Sequence, residues 1–172
     1  MKSRNKVYPI PVSKIPQSLT ECFRSALNFW QSGSYVAEKG GLHHAVGLWI
    51  LGIEEFGKYA LLRETGDGLN NSQGLMKVRE RDFKNHALKS EKGQALLKKW
   101  GIDLSLVDIP LTEKTREALW YVEWDESRQE FRRDFSALEQ GALLKVDSLK
   151  ELMRRAIVKM QQLEQASRIS VQ

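Results

Sequence analysis

At 172 residues with 41% hydrophobic content, the chain is long enough to bury one core and too short for two well-separated ones. Its single cysteine, Cys22, excludes a disulfide framework and a cysteine-based zinc site, and suits a reducing compartment. The net charge of +5 is modest but uneven: residues 76–100 carry eight basic against three acidic side chains, and residues 101–141 carry five basic against ten acidic. A basic segment set against an acidic one serves packing between helices or subunits, whereas a basic segment lining a cleft attracts a polyanion such as RNA.

The first sixteen residues hold Pro9, Pro11 and Pro16, which cannot be helix interior, so residues 1–15 read as an extended arm leading to a helix start at Pro16. Leu19, Cys22, Phe23, Ala26, Leu27 and Trp30 then recur at three- and four-residue spacing, and "QSGS" at residues 31–34 reads as the stop. Ser34 is expected to cap a long second helix running to about Arg63, its middle apolar all round as befits the central helix of a bundle. Residues 70–100 show a weaker pattern ended by Gly101, and Thr112 opens a fourth helix with Ala118, Leu119 and Val122 on its apolar side. "YVEWDESRQEF" reads as irregular or extended, and a last helix between Ser136 and Ile169 presents Leu149, Leu152, Met153, Ala156, Ile157, Met160 and Leu163 as one stripe.

No internal repeat and no convincing strand pair is evident. The expected fold is therefore all-α: about five helices in an antiparallel bundle over residues 16–172, with the extended N-terminal arm in front. The amino terminus has positive charge but no apolar run behind it, and the run from Ala45 to Ile53 is far shorter than the roughly 20 residues that span a bilayer. A cytoplasmic protein with no membrane partner is the expectation.

Three constellations could carry chemistry. In "GIEEFGKYA", Glu54 and Glu55 follow the apolar run directly, so at least one is drawn inside, where an unpaired carboxylate is costly. Lys58, four residues after Glu54 and three after Glu55, is within reach of either, and Gly52 and Gly57 suggest close approach by another element. In "RDFKNH", Arg81 and His86 are five apart, roughly 140° of rotation on an ideal helix, so they share a stripe only if a helix start or a second subunit intervenes. Asp82 and His86, at four, would share one face, with Lys89 three further on; Asp82 would then orient the imidazole while Lys89 and Arg81 hold phosphate oxygens. These types suit metal-free RNA cleavage, in which the 2′-hydroxyl is the nucleophile, an imidazole moves protons and a guanidinium stabilises the transition state. The third is "REALWYVEWDESRQEF", where Arg116 and Tyr121, among further aromatic residues, offer either stacking surfaces for unpaired bases or an aromatic packing core. No metal site and no cofactor are expected: the residues three before His43, His44 and His86 are Gly40, Gly41 and Phe83, so the Glu-x-x-His pairs of di-metal bundles are missing.

Taken in order, "ALNFWQSGSYVAEKGGLHHAVGLWILGIEEFGK", "FKNHALK" and "REALWYVEWD", from about Ala26 to Asp125, resemble the AbiV-type abortive infection proteins, a branch of the HEPN superfamily. The resemblance implies an all-helical HEPN bundle, a homodimer, and a role in bacterial defence against phage. It also implies metal-independent endoribonuclease chemistry on cellular or phage RNA, through an arginine, a polar residue, three variable residues and a histidine. Arg81, Asp82 and His86 match that pattern, and a cleft built from two copies would free them from sharing a helix face. Two functions stay open: such a nuclease, with a phage protein as a candidate activator, or a non-enzymatic helical protein that senses a phage component or blocks translation by binding.

Overall fold

The computed structural model describes residues 6–67, 74–102, 113–120, 123–125, 130–132 and 142–169. Its helices are α1 (Ile15–Glu38), α2 (Leu42–Asp67), α3 (Glu80–Lys84), α4 (His86–Lys99), α5 (Glu113–Trp120) and α6 (Ala142–Ile169), with a short 3-10 turn at Val12–Lys14 leading into α1. Two small antiparallel pairs complete it: β1 (Val7–Pro11) with β2 (Leu75–Arg79), and β3 (Glu123–Asp125) with β4 (Glu130–Arg132). The fold is an all-α HEPN-like helical bundle. No described helix is long and apolar enough to cross a membrane.

The central helix is α2. It packs against α1 on one side and α4 on another, and also touches α5 and α6. Trp49, Ile50, Ile53 and Phe56 of α2 are fully buried, together with Met153, Ala156 and Met160 of α6 and Leu97 of α4. The sequence was expected to break at residues 31–34, but α1 runs through them to Glu38. Gly33 is there because the Trp49 indole, donating to the Trp30 carbonyl at 3.4 Å, occupies the space a Cβ would need. Ser34 therefore lies inside α1 and caps nothing. The real break is Gly40, at φ +83°, where Gly40 N–H bonds the Ala37 carbonyl and Gly41 N–H the Val36 carbonyl. That is a Schellman ending, and its three-residue link turns α2 antiparallel to α1.

Residues 75–100 also depart from expectation. They form a strand and two helices, and the strand pairs with the arm, so the chain does contain a strand pair. The alternation that signals β2 is present, with Met76 and Val78 buried between exposed Leu75, Lys77 and Arg79. Its partner is masked in sequence by Pro9 and Pro11. Glu80 N–H bonds the Lys6 carbonyl and Val12 N–H the Gly74 carbonyl, so the even-numbered arm residues face β2 and both prolines fall at positions directed away from it. The prolines cost the ladder nothing and close the outer edge of β1 to further strands.

Candidate functional site

The site begins with two glycines where α2 crosses α4. A Cβ on Gly57 would fall within the Lys89 carbonyl, and one on Gly93 would strike the Ile53 carbonyl, so backbone meets backbone at two points along the crossing. Such an approach admits no side chain between the helices. It brings Glu54, one residue after Ile53 and three before Gly57, against the first turn of α4.

That first turn is set by Asn85. Its extended backbone (φ −82°, ψ 102°) ends α3, and its side-chain oxygen accepts from Leu88 N–H at 3.0 Å as the N-cap of α4. His86 and Lys89 then stand three apart on the face turned to α2. Glu54, 2% exposed, receives both. His86 Nδ1 is 2.6 Å from Glu54 Oε2, Lys89 Nζ is 3.5 Å from the same oxygen, and Arg116 Nη1 of α5 is 3.2 Å from Oε1. The start of α4 adds its positive dipole end beside the carboxylate.

The hydrogen bonds fix the tautomer. A carboxylate has no proton to give and can only accept, so Nδ1 at 2.6 Å is assigned the proton. Lys89 Nζ, at 3.4 Å from Nδ1, is itself only a donor and therefore acts on Glu54 rather than on the ring. The lone pair of a neutral His86 is left on Nε2, on a side chain 36% exposed, whereas Lys89 and Arg116 are only 5% and 11% exposed. A ring held this way can take a proton at Nε2 while Glu54 stabilises the imidazolium that results.

Glu55 points the other way. It holds Lys58 Nζ at 2.5 Å and lies near Cys22 of α1, whose thiol burial pushes up to about 12, the Glu55 charge adding to the effect. The spacing offered Lys58 to either carboxylate; the structure pairs it with Glu55. Arg81 and Asp82 sit on α3, before the Asn85 break. Arg81 Nε contacts Asp82 Oδ1 at 3.2 Å on side chains 55% and 30% exposed. An Asp82–His86 stripe required one unbroken helix, and Asn85 ends it; the imidazole's carboxylate is Glu54 instead, 32 residues away in sequence. On the same short helix Lys84 binds Glu80 at 2.6 Å, which holds that carboxyl below its ordinary range. Tyr121 lies outside the described residues.

Glu54 was thus legible as an inward carboxylate but not as the partner of His86, because that pairing is made by tertiary packing. Gly93 was missed altogether, although a glycine inside a helical run signals close approach.

The family model HEPN_AbiV, described as AbiV, matches residues 14–157, a span that contains the whole Glu54–His86–Lys89–Arg116 cluster. No curated protein and no solved structure matches the chain. The match covers most of its length, and the chain belongs to the AbiV family of HEPN-type proteins.

Proposed function

We propose that this protein is a metal-independent endoribonuclease of anti-phage abortive infection, acting in the bacterial cytoplasm as a homodimer on cellular or phage RNA. One observation carries the reading: a buried carboxylate fixes His86 through Nδ1 at 2.6 Å and leaves Nε2 as the proton acceptor. In this reading Nε2 takes the 2′-hydroxyl proton as O2′ bonds to phosphorus. The bond from phosphorus to O5′ breaks, and O5′ leaves with a proton from an imidazolium, the same one or its equivalent in the second copy. The products are a 2′,3′-cyclic phosphate and a 5′-hydroxyl. Lys89 and Arg116 hold Glu54 in place, Glu55 and Lys58 brace the next turn of α2, and the exposed Arg81 of a second copy serves the phosphate.

The test is cleavage of single-stranded RNA in EDTA. The wild type should yield cyclic-phosphate ends, and His86→Ala should lower the rate by about 10²- to 10⁴-fold with the helical melting transition unchanged. Cleavage lost on chelation, or kept in His86→Ala, contradicts the reading.

A second reading rests on the same cluster. Glu54 ties α2 to α4 and α5, which is also what a rigid, non-enzymatic interaction protein needs. Growth arrest that survives His86→Ala in cells, with no RNA cut in vitro, selects that reading, and with it a phage component or the translation machinery as partner.

A further inference from the structure

The far end of α4 is built differently from the His86 end. Gly101, at φ +71°, closes α4 in a Schellman motif: Gly101 N–H bonds the Lys98 carbonyl and Ile102 N–H the Leu97 carbonyl. The motif folds Ile102 back beside Leu97, both buried, and leaves Trp100 at the corner. Phe56 meets the Trp100 ring edge-on with centroids 6.0 Å apart, which anchors the indole. Hollows of about 270 and 210 Å³ flank it, and Trp100 lines both.

The smaller hollow is completed by α6. Arg155, Lys159 and Gln162 follow each other at four and three residues, a single stripe beside the core positions Ala156 and Met160. Among the described residues no acidic side chain lines it. Arg154, also at its rim, is bound twice to Glu151, at 2.6 and 2.7 Å. Arg155 is exposed and feels the Glu151 charge without a hydrogen bond or ion pair to it, and the half-buried Lys159 holds neither among the described residues. Elsewhere on the described surface, partly buried cations have partners, as Lys58 has Glu55 and Lys92 has Glu64. Two cations that make no hydrogen bond or ion pair among the described residues, in a concave site beside a fixed indole, make a place for a phosphate joined to a flat ring.

We infer that this hollow binds one nucleotide unit of a single-stranded RNA, its phosphate on Arg155 and Lys159 and its base against Trp100. The choice of RNA rests on the ribonuclease reading. An acidic polypeptide would use the cations but leave the indole without a role. The hollow lies about 20 Å from His86, the length of α4, so it is a second grip on the strand rather than part of the reacting site.

The experiment uses full-length His86→Ala protein and a fluorescently labelled single-stranded RNA, with anisotropy read across a salt series. Arg155→Glu with Lys159→Glu should weaken binding at least tenfold and flatten the log–log salt slope by about 1.4, two phosphate contacts on a single strand. Lys77→Glu with Arg79→Glu, a reversal of equal size on the exposed face of β2, should change affinity less than twofold. Equal losses from the two pairs, tighter binding of polyglutamate than of RNA, or no RNA binding overturns the inference. The nuclease reading is judged separately, by cutting. Wild type that binds through this hollow but does not cut retracts that reading alone, and wild type that cuts while the Arg155/Lys159 pair is dispensable for binding retracts the hollow alone.

Discussion

Glu54 and Glu55 are neighbours on one helix, yet they belong to different environments. About 100° of rotation sends Glu54 toward α4 and α5, where it is 2% exposed and gathers His86, Lys89 and Arg116. Glu55 turns toward α1, where a partly exposed Lys58 answers it three residues away and Cys22 lies nearby. The first is held by residues 32 to 62 positions distant, the second by its own helix. The contrast teaches that a carboxylate's surroundings are set by which neighbouring helix approaches closely. Here the close approach is the Gly57–Gly93 crossing.

Breaking the Glu54 side should have the largest effect. Glu54→Ala leaves Lys89 charged and buried without its counter-ion, and should lower stability by about 3–5 kcal/mol in urea unfolding. Adding Lys89→Met to Glu54→Ala should recover part of that loss, because the most deeply buried of the cations around Glu54 is then no longer stranded. Losses that simply add in this cycle would mean the pair is not coupled.

Gly57→Ala tests the crossing itself. Its methyl meets the Lys89 carbonyl, which is backbone and cannot rotate away, so a loss toward the upper end of about 1–3 kcal/mol is expected. A neutral substitution would show that α4 does not press on α2 at this point.

The Glu55 side should respond least. Glu55→Gln removes a partly exposed pair worth about 1 kcal/mol or less. The neighbouring Cys22 gives that side a pH signature. Its folded-state pKa, about 12, is above the ordinary thiol value of 9.0, so the folded state retains the thiol proton where the unfolded state loses it. The contribution is complete below the unfolded value and is lost as pH rises from about 9 toward 12. Cys22→Ala should flatten the stability curve across that window, and native Cys22 should resist alkylation at pH 8. Ready alkylation of the folded protein would place the thiol at the surface.

Much of the bundle was legible because it rests on local chemistry. The apolar run of α2, the α6 stripe from Leu149 to Met160, and the stop at Gly101 all appear in the sequence as periodicity or a left-handed glycine. Most of what failed had a non-local cause. Gly33 resembled a helix stop but is an indole seat, and β1 was hidden by prolines that face away from the one strand it joins. In the site, the inward carboxylate and the His86–Lys89 spacing were readable, whereas the bond between Glu54 and His86 was not, since it exists only after α2 and α4 pack. The supposed Asp82–His86 stripe failed for one residue: Asn85, whose side chain prefers capping the next helix to continuing the last.

The Glu54–His86 bond is open to direct observation by nitrogen-15 NMR of the histidine side chains at a pH where the imidazole is neutral. For His86 the account predicts a protonated-type resonance at Nδ1 and a lone-pair resonance at Nε2, with that preference weakened in Glu54→Gln. A proton found on Nε2 in the wild type would contradict it, for the ring would then have its only acceptor nitrogen turned inward.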